Sequence, residues 1–240
     1  PALAADVLRL DRAEVRARVP PLAGMTADGG LYSAGCGVVD IHALLLAYLD
    51  EARAGGTRVQ FDTRVTGVEV TGGRVTGVET TRGRIACEVL VDAAGFGAGP
   101  LGEAAGLGAV PPFDPVRRHL FVTAAWPDLD RRWPFVWDVS GGLYFRPEGD
   151  GLLMCACDAT SWPPQDPPTD PTVRELLAEV FSEHAPGLAD ARPTRLWCGL
   201  RVMTPDGRFV IGPDPALEGF FWVAGLGGHG MPTSYAVGEI

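Results

Sequence analysis

Lysine is missing from this 240-residue chain: all twenty basic residues are arginine. With 32 glycines and 21 prolines the bias reads first as GC-rich coding, and chemically it makes guanidinium the only permanent side-chain cation. Clustered positive charge is also missing. The net charge is −10, the charges are interspersed and no arginine-rich run or basic patch occurs, which argues against nucleic acid as a partner. No CxxC pair exists. The five cysteines (Cys36, Cys87, Cys155, Cys157, Cys198) are odd in number and scattered. Cys155 and Cys157 alternate on what reads as a strand and share one of its faces. They are read as reduced core or near-core residues of a cytoplasmic protein, without a metal site. No segment approaches the roughly 20 apolar residues of a membrane span, and no signal peptide opens the sequence. It starts at Pro1 without Met and stops at Ile240 about one turn into a helix-like run, the look of a piece of a longer protein.

What is present is patterned apolar sequence, 46% hydrophobic, enough at this length to bury roughly three-quarters of the unfolded surface in one or two domains. Residues 38–54 carry Ile41, Leu44, Leu45, Tyr48 and Leu49 on the i, i+3, i+4 stripe of an amphipathic helix, with Asp40 as N-cap and Gly55-Gly56 as its stop. Short strands are predicted at 58–61, 65–70, 74–80 and 84–91, punctuated as hairpins by Thr71-Gly72-Gly73 and Arg82-Gly83. Residues 89–99 read as a buried strand ending in Ala93-Ala94-Gly95, small enough for another backbone or a ligand to come close. A short helix is predicted at 101–107. This order suggests a parallel sheet carrying an antiparallel insert.

From about residue 110 the composition shifts toward proline and aromatics, with alternating runs at 119–125, 142–145 and 151–157. Residues 171–185 form an amphipathic helix with Val173, Leu176, Leu177, Val180 and Phe181 on one stripe. The pattern predicts a second, antiparallel domain with a helix laid across its sheet. The proline-rich stretch 162–171 reads as a stiff exposed loop that cannot extend a strand, and the Trp-rich stretch 126–137 fits either a partner surface or a domain seam. The chain then returns to its first domain. The apolar strand Phe220–Ala224 runs directly into Gly225, Gly227, Gly228 and Gly230 and then into a helix-like run. A glycine-rich turn feeding a helix start lets backbone N–H groups approach an anionic ligand group.

This ordered set resembles the D-amino-acid oxidase/sarcosine oxidase (DAO) family of FAD-dependent amine oxidoreductases. Val38-Val39-Asp40 and the leucine-rich helix look like the family's second helix. Val65-Thr66-Gly67-Val68 resembles the strand whose backbone grips the adenine, and residues 91–95 the strand end against the ribose and pyrophosphate. Residues 142–147 and 151–153 are similar to a substrate-domain strand pair. Gly199-Leu200-Arg201, the Thr204-Pro205-Asp206-Gly207 turn and the glycines from 225 to 230 complete the series. The resemblance implies an α/β (α+β) fold. An FAD/NAD(P)-binding, glutathione-reductase-like domain (40–109 and 204–240) would be interleaved with an antiparallel-sheet substrate domain (1–39 and 110–203). The family's GxGxxG βαβ unit, which holds the pyrophosphate, would precede Pro1.

The same resemblance implies cofactor contacts at Val65, Ala93, Ala94, Gly95, Gly225, Gly227, Gly228, His229, Gly230 and Met231. A helix start carries about half a positive charge, here directed at the flavin's pyrimidine edge, with Pro232 in its first turn. Some relatives attach FAD through a cysteine at the position of Gly199. Cys198 is one residue off, and on a strand that shift reverses the side chain, so noncovalent FAD is expected. The implied reaction removes a hydride equivalent from the carbon beside an amine nitrogen and gives an imine that hydrolyses. N-methylglycine, glycine and D-amino acids are the candidate substrates. Arg201 stands where the family has a bidentate carboxylate anchor; its other reading is a pair with Asp206 or Glu218. Tyr144 aligns with a tyrosine that helps hold the same carboxylate, its other reading being a core residue with a satisfied hydroxyl. His229 is a cofactor contact or a helix cap, and His119 a candidate base. Pro232 replaces a carboxylate-holding lysine of some members, and with no lysine to set over the flavin, oxidase versus dehydrogenase stays open. The alternatives are a 2-hydroxyacid dehydrogenase of the same superfamily and a catalytically silent assembly subunit. The expected partner is a small molecule, with a homo-oligomer or partner subunit left open.

Overall fold

The computed structural model describes residues 7–25, 27–127 and 129–240. The first six residues of segment 1–39 and one position of the Trp-rich stretch therefore lie outside the described residues. In chain order the elements are β1 (Val7–Asp11), α1 (Arg12–Arg18), β2 (Gly29–Ser33), α2 (Ile41–Ala54), β3 (Val65–Thr71), β4 (Arg74–Thr80), β5 (Gly83–Ala86), β6 (Leu90–Asp92), α3 (Ala98–Ala104), β7 (Asp114–Thr123), β8 (Val136–Asp138), β9 (Leu143–Glu148), β10 (Gly151–Cys155), α4 (Val173–His184), β11 (Pro193–Met203), β12 (Val210–Pro213), β13 (Phe220–Ala224) and α5 (Gly230–Gly238). They fall into two compact units. Unit 1 is Pro1–Val39, Arg118–Ala159 and Pro168–Gly199; unit 2 is Asp40–Arg117, Thr160–Pro167 and Leu200–Ile240.

Unit 1 is built on a sheet of order β11-β7-β10-β9-β8, with β7, β8, β9 and β10 paired antiparallel. Alternation sorts its faces: Leu143 and Phe145 are fully buried while Tyr144 and Arg146, which alternate with them, are not. The buried face receives α4, whose Leu177 and Phe181 pack with Phe121, Leu152 and Met154. Phe145 meets Phe181 edge-on at 6.1 Å between ring centroids. Each such side chain contributes about 1.5–3 kcal/mol by leaving water. The predicted stripe on α4 is narrower than its sequence suggests, because Leu176 stays exposed. A second feature has no apolar signal in the sequence: β1 and β2 pair antiparallel around α1. There Asp11 accepts the Glu14 N–H and Glu14 accepts the Asp11 N–H, both at 2.8 Å, a reciprocal cap that starts α1.

Unit 2 holds two three-stranded sheets, the meander β3-β4-β5 and the sheet β12-β13-β6, in which β13 runs parallel to β6. Val75, Ala98, Phe220 and Trp222 form its core. Three expectations are corrected. Residues 58–61 form no strand, and Phe61 is exposed. The single strand predicted at 84–91 is two, because β5 pairs with β4 in the meander whereas β6 joins the parallel sheet. The short helix starts at Ala98, three residues early. Asp40 does cap α2, accepting the His42 and Ala43 N–H groups at 3.1 and 3.0 Å. Yet the helix buries no residue: Ile41, Leu45 and Tyr48 of its stripe are exposed. Periodicity marks a face that needs cover without saying what covers it.

Candidate active site

Two turns leave the same end of unit 2's parallel pair. β6 and β13 run side by side, with Leu90 opposite Phe220 and Asp92 opposite Trp222, and both continue at once into small residues. After β6 come Ala93, Ala94 and Gly95, the last at φ +59°. After β13 come Gly225 at φ +67° and Gly227 at φ +53°, conformations open to glycine at no steric cost. In open α/β sheets ligands bind at the carboxyl ends of adjacent parallel strands. Asp92, fully buried at this end, accepts the Ala94 N–H through Oδ1 at 3.0 Å, while its Oδ2 has no partner. Burial pushes its carboxyl up to about 6.

The glycine turn lies directly on β11 and the residues that follow it. Gly227 N–H donates to Val202 O at 3.0 Å. A Cβ at Gly225 would fall 2.7 Å from Thr204 Cγ2, one at Gly227 3.2 Å from Met203 Sδ, and one at Gly228 3.2 Å from Arg201 Cζ. The guanidinium of Arg201 therefore sits against the backbone of the turn. Of the two alternative partners considered for it, Asp206 faces Arg208 and Glu218 pairs with Arg74 at 2.8 Å; among the described residues Arg201 has no ion pair. His229 is the N-cap of α5 by position but makes no side-chain cap bond, and its exposed ring lies 6.2 Å from that of Phe209. Gly230 and Met231 open α5, where N–H groups have no helical acceptor. Val65 is placed elsewhere in unit 2, opposite Thr80 in the meander.

Tyr144 belongs to unit 1. It stands on β9 between Cys155 of β10 and Trp137 of β8, 5.4 Å from the Phe135 ring, and its hydroxyl hydrogen-bonds the Cys155 thiol. His119 is fully buried. Asp170 N–H donates to its Nε2 at 3.0 Å and its Nδ1 pairs with Asp158 Oδ2 at 2.7 Å. Accepting at Nε2 puts the proton on Nδ1, so both ring nitrogens are occupied and His119 is a structural clamp, not a base. Arg118 carries no signal along the chain, and the Cys155/Cys157 pair is marked there by its CxC spacing alone. Two surface grooves, about 670 Å³ beside Trp126 and Trp133 and about 500 Å³ at residues 213–219, include no residue of the glycine turn. Among the described residues no helix is long and apolar enough to cross a membrane, and no cluster of three or more His, Cys, Asp or Glu is placed to hold a metal.

The fold and this site define a nucleotide-cofactor oxidoreductase architecture: a parallel pair with glycine turns in one unit, an antiparallel sheet in the other. The chain belongs to the DAO family of FAD dependent oxidoreductases, whose model matches residues 2–240. Hydrogen cyanide synthase subunit HcnC of Pseudomonas aeruginosa is 30% identical over all of this chain and 56% of its own length. Mitochondrial dimethylglycine dehydrogenase of Rattus norvegicus is 29% identical over 88% of the chain and 26% of its own length. Among solved structures, glycine oxidase from Geobacillus kaustophilus has a TM-score of 0.79 at 27% identity, covering 97% of this chain and 61% of that one. L-proline dehydrogenase from P. horikoshii, with a TM-score of 0.85 at 22% identity, shares the fold. The chain thus spans about half or less of the curated relatives named. The residues present fit FAD. Two turns that require positive φ, an unpartnered buried carboxylate oxygen and the start of α5 converge on one strand end.

Proposed function

We propose that the protein carrying this chain oxidises the C–N bond of a small amino acid or secondary amine to an imine, with FAD held noncovalently. Bound FAD would take up the hydride equivalent. The chain's own part is to hold and orient: the backbone of 93–95 and 225–231 in unit 2 contacts the cofactor, and the first turn of α5 favours negative charge. Unit 2 is the cofactor side in this reading, and the antiparallel sheet of unit 1 the substrate side. Arg201 anchors the substrate carboxylate, and one observation carries that assignment. It is a half-buried guanidinium against the glycine turn at Gly228 without an ion pair among the described residues. Tyr144 is engaged with Cys155, so the carboxylate is assigned to Arg201 alone. Glycine and dimethylglycine, which name two relatives, are small carboxylates of the kind such an anchor holds. A reducing, cytoplasmic location suits five free cysteines. A partner subunit is a second element of the proposal, supported by the exposed stripe of α2 and by the naming of HcnC as a subunit.

The test is Arg201→Ala in the full-length protein, assayed with N-methylglycine, glycine and D-amino acids. Loss of a charge-assisted pair of about 1.5–3 kcal/mol raises KM by about tenfold or more, with the flavin absorbance retained and released by acid. An unchanged KM removes Arg201 from the site. A colourless full-length protein overturns the cofactor assignment itself.

A further inference from the structure

β10 ends at Cys155, and two residues later Cys157 has φ +50°. Among the described residues Asp62 is the one other non-glycine residue with positive φ, a conformation that costs a cysteine on the order of 1–2 kcal/mol. On a straight strand, residues two apart are separated by roughly 7 Å. The left-handed turn instead returns the Cys157 N–H to Cys155 Sγ at 3.3 Å and brings the two thiols into hydrogen-bonding contact. Two more donors meet there. Tyr144, the cross-strand partner of Cys155, directs its hydroxyl to the same sulfur. Arg118 also lies against the pair, and its Nε is buried without a partner. All of these residues belong to unit 1. An observed strained residue beside a half-buried cation and two thiols is a reason to look for chemistry.

We propose that Cys155 and Cys157 form a dithiol site that small hydroperoxides oxidise to an intrachain disulfide, with Cys155 as the attacking sulfur and Cys157 as the resolving thiol. The Cys155 sulfur attacks peroxide: an S–O bond forms, the O–O bond breaks, and the departing hydroxide takes a proton and leaves as water. The Cys157 sulfur then attacks Cys155 Sγ: the S–S bond forms, the S–O bond breaks, and the hydroxyl leaves as water with the Cys157 proton. Two electrons leave the thiols and one hydrogen peroxide becomes two waters. The roles follow from the donors. The Cys157 thiol, its N–H, Tyr144 and Arg118 all stabilise a thiolate at Cys155, holding it down at about 6. Cys157, whose proton is shared with that thiolate, is pushed up. Access selects the oxidant. Cys155 is fully buried and Cys157 half-buried, so a small peroxide passes where a bulky disulfide does not. The inference does not rest on the proposed amine oxidation, because the oxidant is added as a reagent.

The test treats the full-length protein with hydrogen peroxide, denatures it, alkylates all remaining thiols and maps them by mass. The expected result is a Cys155/Cys157 peptide lighter by two hydrogens, refractory to alkylation and restored by dithiothreitol, while Cys87 still alkylates. In Cys157→Ser, denatured in the presence of dimedone after oxidation, the oxidised Cys155 is trapped as a sulfenic acid, and Arg118→Gln slows the oxidation about tenfold by removing the cation that favours thiolate. If the variants do not fold, the pH profile of the wild-type oxidation rate decides, with a midpoint nearer pH 6 than the usual thiol range near 9. The proposal is overturned if both thiols still alkylate fully once exposed Cys36 has been oxidised. A rate midpoint near 9 overturns it as well.

Discussion

The guanidinium of Arg201 lies against the backbone of Gly228, so close that a Cβ on the glycine would come 3.2 Å from both Cζ and Nη1. Gly228 is not among the positive-φ glycines, so alanine there strains no backbone and acts only by moving the guanidinium a few tenths of an ångström. Gly228→Ala is expected to raise KM for a carboxylate substrate severalfold, less than Arg201→Ala does, with flavin content unchanged. Because both changes act through one side chain, the double variant is expected to be no worse than Arg201→Ala alone. Additive losses in a double-mutant cycle would show that Gly228 acts independently of Arg201.

His119 holds two distant pieces of unit 1 together, Asp158 and the Asp170 N–H, 39 and 51 residues along the chain. His119→Ala removes both ring bonds and leaves the buried Asp158 carboxylate only the residue-119 backbone N–H, which donates to Oδ1 at 2.9 Å, so unfolding in urea should show a loss of about 2–3 kcal/mol. His119→Asn places an amide N–H near the former Nδ1 and is expected to recover part of that loss. A stability within about 0.5 kcal/mol of wild type for the alanine variant would contradict the clamp. Turnover measured well below the melting temperature is expected to survive in both variants, which a catalytic base would not allow.

What was legible along the chain was local. The Asp40 cap, the hairpin glycines, the alternation of β9 and the turn at Gly225–Gly230 each depend on residues a few positions apart, and short-range sterics set them. The His119 clamp was not legible, because nothing near His119 in sequence distinguishes a base from a residue bonded at both nitrogens. The same holds for Arg118, which acquires meaning only beside β10. Cys155 and Cys157 were noticed for their spacing but assigned to one strand face; the left-handed backbone at Cys157 has no residue signature, since a cysteine is a poor choice for it. The stripe on α2 was legible as apolar, but its exposure was not, for burial is a property of neighbours. Arg201 and the glycine turn were associated by resemblance, and the packing of Gly228 supplies their physical link.

Asp92 carries a pH dependence whose sign follows from burial. Its folded pKa is raised to about 6 from 3.8. Below about pH 4 both folded and unfolded chains hold the proton and the residue has no effect. Between about pH 4 and 6 the unfolded chain releases it while the folded chain does not, so stability falls as pH rises, by roughly 2–3 kcal/mol in all, and stays lower above. Asp92→Asn keeps an acceptor for the Ala94 N–H and never ionises. It should match wild type near pH 4 and exceed it by up to that amount near pH 7.5 in urea titrations. A difference that is the same at both pH values would rule out an ionising Asp92 as its source.

Gly102→Ala sets helix propensity against packing. In an exposed helix the change gains about 1 kcal/mol. In α3, however, Gly102 is buried, and a Cβ would overlap Trp222 Cη2 while lying 3.2 Å from Cζ2 and 3.3 Å from Val110 Cγ2. The indole cannot swing aside, because its Nε1–H donates to Asp214 at 2.8 Å and its ring meets Phe220 edge-on at 4.9 Å. Overpacking of this kind costs about 1–3 kcal/mol, so against the propensity gain of about 1 kcal/mol the net effect is a loss of up to about 2 kcal/mol, read as a lower urea midpoint at unchanged slope. Trp222→Phe makes room at the cost of its own hydrogen bond, so the double variant should be less destabilised than the sum of the singles. Trp222 stands opposite Asp92, three residues before Gly225, so the strain enters the strand pair that holds both glycine turns. Flavin retention by Gly102→Ala should therefore fall before the protein unfolds, and retention that tracks unfolding alone would show that the turns are insulated from α3.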